Sequence, residues 1–140
     1  MDFVRYFKNL SKNDISLAGG KGASLGEMMK AKIPVPPGFV VLASVFERFL
    51  KETDINIEIK AMWDKINIKD TESVEENSEI IRDLVIKAKM PKDLTQIILQ
   101  GFNKLKTKYV AVRSSATAED SKIDSRAWEL ESYLNTTKAN

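Results

Sequence analysis

Two short segments of the chain combine residue types that bind phosphate groups. The first spans residues 18–24 and reads Ala-Gly-Gly-Lys-Gly-Ala-Ser, at the start of a predicted helix. Its candidate ligands are Gly19, Gly20, Lys21 and Gly22. Glycines at a helix start leave backbone N–H groups uncovered, the helix dipole favours an anion there, and a lysine adds a full positive charge. The pattern matches neither GxxxxGK[ST] nor GxGxxG, so a flexible turn before a helix is the alternative reading.

The second segment spans residues 113–120 and reads Arg-Ser-Ser-Ala-Thr-Ala-Glu-Asp. Arg113 is predicted to end a strand, which would hold its planar guanidinium where two donors can grip phosphate oxygens. Three hydroxyl side chains follow it: Ser114, Ser115 and Thr117. Glu119 and Asp120 approach a metal ion in one reading and form a solvated acidic loop in the other. Lys21 and Arg113 are the candidates for catalytic phosphate contacts, and no residue is assigned as a metal ligand.

Composition narrows the chemistry further. The chain has no cysteine and no histidine, which excludes disulfides, thiolate nucleophiles, imidazole bases and phosphohistidine within it. Its 22 basic and 20 acidic residues give a net charge of +2, without the basic stripe of a nucleic-acid-binding protein. No run of about 18 apolar residues is present, and the N-terminal residues lack a signal-peptide core. We therefore expect a cytoplasmic protein that binds neither nucleic acid nor membrane.

Short apolar strands and amphipathic helices are predicted to position these segments. A helix is predicted from Gly20 to Lys32, ended by the proline-rich residues 33–38. Apolar residues at helical spacing continue through residues 44–105. The strands are predicted at residues 4–7, 39–42, 109–113 and 130–135. This order predicts an α+β (mixed α/β) fold, a short sheet with several helices, in which residues 1–140 form a single domain.

Two local patterns bear on how closely these elements approach one another. Gly22 and Gly26 lie one helical turn apart, so they leave a strip without bulk where a backbone or a ligand can come close. Ser73 and Glu76 have the spacing of a capping box, which predicts that a helix starts at Ser73.

Three motifs, taken together and in this order, resemble a known family. GGKGASLGEM, IPVPPGFVV and YVAVRSSATAED are similar to the N-terminal nucleotide-binding domain shared by phosphoenolpyruvate synthase and pyruvate phosphate dikinase. The closing residues SRAWELESYLNTTK also resemble the segment that follows in that family. The RSSATAED form is closer to the synthase branch. The likeness covers nearly the whole chain and is least distinctive over residues 51–105.

The resemblance implies the first half of an ATP-grasp fold, with ATP and Mg2+ as ligands of the intact enzyme. It also implies that Lys21 and Arg113 contact the nucleotide phosphates. The intact synthase is a kinase, a transferase that converts ATP, pyruvate and water to AMP, phosphoenolpyruvate and phosphate through a phosphorylated histidine. The chain ends before the second ATP-grasp half, the phosphohistidine domain and the pyruvate-binding barrel. We therefore expect a truncated ATP-binding domain that is inactive without those missing C-terminal domains.

Two alternatives stay open at this level. The family usually places a small residue and a glycine between an aromatic residue and the acidic or amide residue that follows it. Here Glu129 follows Trp128 directly. This departure favours a non-catalytic interaction module that retains the fold and pairs with a separately encoded partner. The front domain of rifampin phosphotransferase, an antibiotic-phosphorylating enzyme, is also similar, and no residue of this chain identifies the phosphoryl acceptor.

Overall fold

A computed structural model gives the positions of residues 2–115, 117 and 132–138. These residues form five α-helices and four short strands. In chain order they are β1 (Val4–Tyr6), α1 (Ile15–Lys30), β2 (Phe39–Val41), α2 (Ala43–Glu52), α3 (Ile55–Trp63), α4 (Thr71–Lys87), α5 (Lys92–Lys104), β3 (Val110–Arg113) and β4 (Ser132–Thr136). Two 3-10 turns, Phe7–Asn9 and Lys12–Asp14, lead from β1 into α1.

The strands pair as two separate antiparallel sheets, β1 with β2 and β3 with β4. In the second sheet Arg113 lies opposite Ser132, at the carboxyl end of β3. The predicted strands are found with boundaries within two residues of those expected, and residues 130–131 of the last predicted strand lie outside the described residues. Antiparallel strands accompanied by five helices confirm the α+β class.

The chain is organised into two compact units. The first comprises Met1–Val45 and Asp93–Asn140, and the second comprises Phe46–Lys92. In the second unit α3 packs against α4, and the rings of Phe46 and Phe49 stack with centroids 6.2 Å apart. Both candidate phosphate-binding segments belong to the first unit. The single-domain organisation stays a prediction.

The core of the first unit anchors the first candidate segment. Leu10, Ala18 and Leu42 are buried together, and Phe7 and Val40 pack against them. Removing such apolar surface from water stabilises the fold by about 25 cal/mol per Å². Because Ala18 is the first residue of that segment, its burial holds the start of the segment against the core.

Helix α1 begins at Ile15, so the sequence missed its first part, and the helix predicted from Gly20 corresponds to the part that follows residue 19. The preceding 3-10 turn carries a capping box in which the Asp14 carboxylate accepts from the Ser11 backbone N–H at 2.8 Å. In return, Ser11 Oγ accepts from the Asn13 backbone N–H. These bonds satisfy N–H groups that a helix start leaves without partners, and they allow helical geometry to begin earlier.

The start of α4 also differs from the prediction. The helix begins at Thr71, and the Asp70 carboxylate accepts from the Glu72 backbone N–H at 3.2 Å. Ser73 Oγ instead accepts from the Asn67 backbone N–H at 3.1 Å. The capping box predicted at Ser73 was therefore wrong, because an aspartate three positions earlier provides the cap.

Candidate functional site

The helical path of α1 is broken at Gly19. Its φ of 71° and ψ of 167° are non-helical, and α1 continues on both sides of it. Side-chain-bearing residues rarely adopt this combination, whereas glycine adopts it at no steric cost. Helix α1 therefore consists of a short first part that ends at Ala18 and a longer second part that starts at Gly20. The predicted start at Gly20 coincides with this second part.

The side chain of Ser115 bridges the break. The Gly22 backbone N–H donates to Ser115 Oγ at 3.0 Å, and Ser115 Oγ donates to the Ala18 carbonyl oxygen at 2.7 Å. The directions follow from the partners, because an amide N–H only donates and a carbonyl oxygen only accepts. Gly19 occupies the N-cap position of the second part, so Gly22 is the third residue after the cap. An N-cap side chain normally accepts from the N–H at that position, and Ser115 supplies the oxygen that Gly19 lacks.

The main chains of the two candidate segments are also in close contact. A Cβ atom added at Gly19 would lie 2.3 Å from the Ser115 carbonyl oxygen and 2.4 Å from its hydroxyl oxygen. Both distances are well inside van der Waals contact, so glycine is needed for this approach as well as for its backbone angle. The fold thus brings Ser115 into contact with Ala18, Gly19 and Gly22 across more than 90 positions of sequence.

The strip formed by Gly22 and Gly26 is occupied by the protein itself. A Cβ at Gly22 would lie 2.7 Å from Val40 Cγ2, and a Cβ at Gly26 would lie 2.6 Å from the Leu10 carbonyl oxygen. The sequence allowed either a backbone or a ligand to approach this strip. The structure places the Leu10 backbone and the Val40 side chain there. Gly22 accordingly has a packing role in addition to its hydrogen bond to Ser115.

The predicted site residues differ in exposure. Gly19, Gly20 and Gly22 are buried, Lys21, Ser114 and Ser115 are partly buried, and Arg113 and Thr117 are exposed. The Arg113 guanidinium takes no part in the ion pairs found among the described residues. Contact of Lys21 and Arg113 with the same phosphate chain stays a prediction.

A charged cluster before α1 is structural, and the sequence reading did not identify it. Asp14 Oδ1 accepts from Arg5 Nη1 at 2.9 Å, and Asp14 Oδ2 accepts from the Ser11 hydroxyl at 2.7 Å. The Ser11 hydroxyl lowers the pKa of the Asp14 carboxyl, and the charges of Arg5 and Lys30 add to this effect, while partial burial opposes it. The signal was present, because Ser-x-x-Asp at residues 11–14 precedes an apolar run.

No group of three acidic side chains converges to hold a metal ion within residues 2–115, 117 and 132–138. Four residues singled out in the sequence lie outside these ranges: Glu119, Asp120, Trp128 and Glu129. None of the helices in the described part of the chain combines the length and apolar character needed to cross a membrane.

Known proteins are similar to this chain over nearly its whole length. A probable phosphoenolpyruvate synthase of Methanothermobacter thermautotrophicus is 38% identical over 139 residues, which cover 95% of this chain and 20% of that protein. One from Methanocaldococcus jannaschii is 43% identical over 141 residues, covering 96% and 12%. The phosphoenolpyruvate synthase of Pyrococcus furiosus is 35% identical over 175 residues, covering 98% and 21%. The chain thus spans 12–21% of the length of these relatives.

The family model described as the AMP/ATP-binding domain of pyruvate phosphate dikinase matches residues 15–140. The matched region starts at the first residue of α1 and includes both candidate segments. The match and the geometry around Ser115 therefore concern the same part of the molecule. The chain belongs to the pyruvate phosphate dikinase AMP/ATP-binding domain family.

Proposed function

We propose that this chain is the ATP-binding part of a phosphoenolpyruvate synthase-like phosphotransferase, and that the nucleotide phosphates bind near the contact of residues 18–22 with Ser115. The observation that carries the proposal is the pair of hydrogen bonds through which Ser115 joins Ala18 and Gly22. These bonds bring together the two segments that contain phosphate-binding residue types. Membership in an AMP/ATP-binding domain family supports a nucleotide as the ligand.

Lys21 and Arg113 are the proposed phosphate ligands. Lys21 lies in the first turn after the break at Gly19, where the helix dipole also favours an anion. Arg113 ends β3 and is exposed, so a ligand can reach its guanidinium, which can donate two parallel hydrogen bonds to phosphate oxygens. Together the two cations would neutralise the charge on phosphoryl oxygens during in-line transfer. Gly20, Ser114 and Thr117 would line the same phosphates.

The described residues do not form a magnesium cage of their own, because no group of three acidic side chains converges among them. In many nucleotide sites Mg2+ keeps several waters and is held mainly through the substrate phosphates. We therefore assign Mg2+ to the nucleotide, and no residue of the described part is assigned as its ligand.

For the complete enzyme we propose the conversion of ATP, pyruvate and water to AMP, phosphoenolpyruvate and phosphate, on an ATP-grasp scaffold of which this chain forms the first half. The relatives named phosphoenolpyruvate synthase support this reaction. The 140 residues contain no histidine, so the phosphorylated histidine must be supplied by residues outside them. We therefore propose that these residues bind ATP without turning over pyruvate.

The proposal is tested by isothermal titration of the chain with Mg-ATP. We expect Lys21→Ala and Arg113→Ala each to weaken binding by about tenfold or more, because a hydrogen bond to a charged group contributes about 1.5–3 kcal/mol. Affinities that remain unchanged in both variants would contradict the assigned site.

Lys30→Ala is the matched control, because it removes the same charge from the same helix near its other end. Its affinity for Mg-ATP is expected to equal that of the unmutated chain. If Mg-ATP neither binds nor raises the melting temperature, the chain is better described as an interaction module that retains the fold.

A further inference from the structure

We infer that Ser115 is a positioning residue of the nucleotide site and not a phosphate ligand. The inference rests on the proposed function for the identity of the ligand. The role of the side chain rests on its hydrogen bonds to Ala18 and Gly22. It differs from the expectation drawn from the sequence, in which all hydroxyls after Arg113 were candidate ligands.

The hydrogen-bonding capacity of a serine hydroxyl decides this point. A hydroxyl has one proton to donate, and Ser115 already donates it to the Ala18 carbonyl oxygen at 2.7 Å. Phosphate oxygens are acceptors and need donors. Ser115 therefore cannot donate to a phosphate without leaving the Ala18 carbonyl unpaired in a buried position.

The two bonds fix the position of one segment relative to the other. Ala18 and Gly22 lie on opposite sides of the break at Gly19, so Ser115 holds both parts of α1. Lys21 is adjacent to Gly22 in the chain. Arg113 lies two residues before Ser115, and two residues span at most about 7 Å of chain. The Ser115 hydroxyl thus holds the segment that contains Lys21 next to the segment that contains Arg113.

Ser114 provides an internal contrast. It has the same side chain and the same partly buried class as Ser115. Its hydroxyl makes no hydrogen bond to another described residue. Of the two adjacent serines, Ser114 therefore keeps a proton that it can donate to a phosphate.

Amide hydrogen exchange at Gly22, measured by NMR in the absence of nucleotide, tests the positioning role. We expect Ser115→Ala to accelerate exchange of the Gly22 amide by about tenfold, because it removes that amide's acceptor. Ser114→Ala is the matched control and is expected to leave Gly22 exchange unchanged. Unchanged exchange in Ser115→Ala would overturn the inference.

A measurement on the unmutated chain separates the positioning role from a ligand role. If Ser115 positions the site, the Gly22 amide stays protected when Mg-ATP saturates the protein, and the affinity falls in Ser115→Ala. If Ser115 instead turns to the phosphates, saturation with Mg-ATP deprotects Gly22, and the inference fails. Absence of any Mg-ATP binding to the unmutated chain would defeat the proposed function, while the exchange data without nucleotide would still decide whether Ser115 joins the segments.

If Ser115→Ala does not fold, a nuclear Overhauser contact decides the question without a variant. The Gly22 amide proton and the Ser115 β-protons are expected to give a cross-peak in the unmutated chain, because the amide nitrogen lies 3.0 Å from Oγ. A missing cross-peak between assigned resonances would overturn the inference.

Discussion

The hydroxyl oxygen of Ser115 lies 3.0 Å from the backbone nitrogen of Gly22, where the N-cap side chain of a helix normally accepts its hydrogen bond. The N-cap residue here is Gly19, which has no side chain. The acceptor comes instead from the segment that follows β3. Formation of the second part of α1 and placement of that segment therefore depend on each other.

Gly19→Ala is expected to lower the free energy of unfolding by about 2–4 kcal/mol, since it combines a strained positive φ with a steric clash. The φ at this position is 71°, and the new methyl group would lie 2.3 Å from the Ser115 carbonyl oxygen. Urea unfolding followed by circular dichroism measures the loss. Ser24→Ala, an exposed site on the same helix, is the control and should stay within about 0.5 kcal/mol. Equal stability of the two variants would show that the break at Gly19 is absent.

Gly26→Ala is expected to destabilise the chain more than Gly22→Ala. The methyl group at position 26 meets the Leu10 carbonyl oxygen, which is backbone, whereas the one at position 22 meets Val40 Cγ2, the end of a side chain. Overpacking costs about 1–3 kcal/mol and is offset by about 1 kcal/mol of helix propensity.

A double-mutant cycle distinguishes these two contacts. Combining Gly22→Ala with Val40→Ala should recover at least about 0.5 kcal/mol relative to the sum of the single changes. The same Val40→Ala change should not rescue Gly26→Ala. Equal rescue at both glycines would contradict the packing described for this strip.

Asp14→Asn is expected to destabilise the chain by about 1 kcal/mol at neutral pH, because it weakens the bonds to Ser11 and Arg5. The pKa of this carboxyl is lowered from its ordinary value of 3.8. The stability that it contributes is therefore present above 3.8 and is lost as the pH falls below that value, through the folded-state pKa. Urea unfolding across this range should show the difference between variant and unmutated chain shrinking as the pH falls.

Asp2→Asn is the control for this experiment. Its side chain is 72% exposed and lies 3.5 Å from Arg5 Nη2, so its removal should change stability by less than about 0.5 kcal/mol. A difference for Asp14→Asn that does not vary between neutral and acid pH would contradict the assigned role of its charge.

Arg113→Lys is expected to weaken Mg-ATP binding less than Arg113→Ala does, but measurably, by about threefold to tenfold. Lysine retains the positive charge, whereas the paired donors of the guanidinium are lost. Titration of the two variants side by side measures this order. An Arg113→Lys variant that binds as well as the unmutated chain would show that charge alone is recognised there.

Local pattern predicted most of the elements correctly, because strand and helix periodicities depend on neighbouring residues. The strand that ends in Arg113 is an example. Helix starts were predicted less well, because the part of α1 from Ile15 to Ala18 was missed and α4 begins at Thr71 instead of Ser73. Several polar side chains compete for the same unpaired N–H groups near a helix start, and the geometry of the turn decides which one reaches them.

The sequence by itself determined the α+β class, the two segments that contain phosphate-binding residue types and, through the order of its motifs, the family. The tertiary structure alone decided which of two adjacent hydroxyls is bonded among the described residues, and that protein fills the strip at Gly22 and Gly26. Ser114 and Ser115 are identical in type and adjacent in sequence, yet only Ser115 bonds to α1. The reason is that a hydrogen bond between residues 93 positions apart depends on how the chain is packed, and no local propensity specifies it.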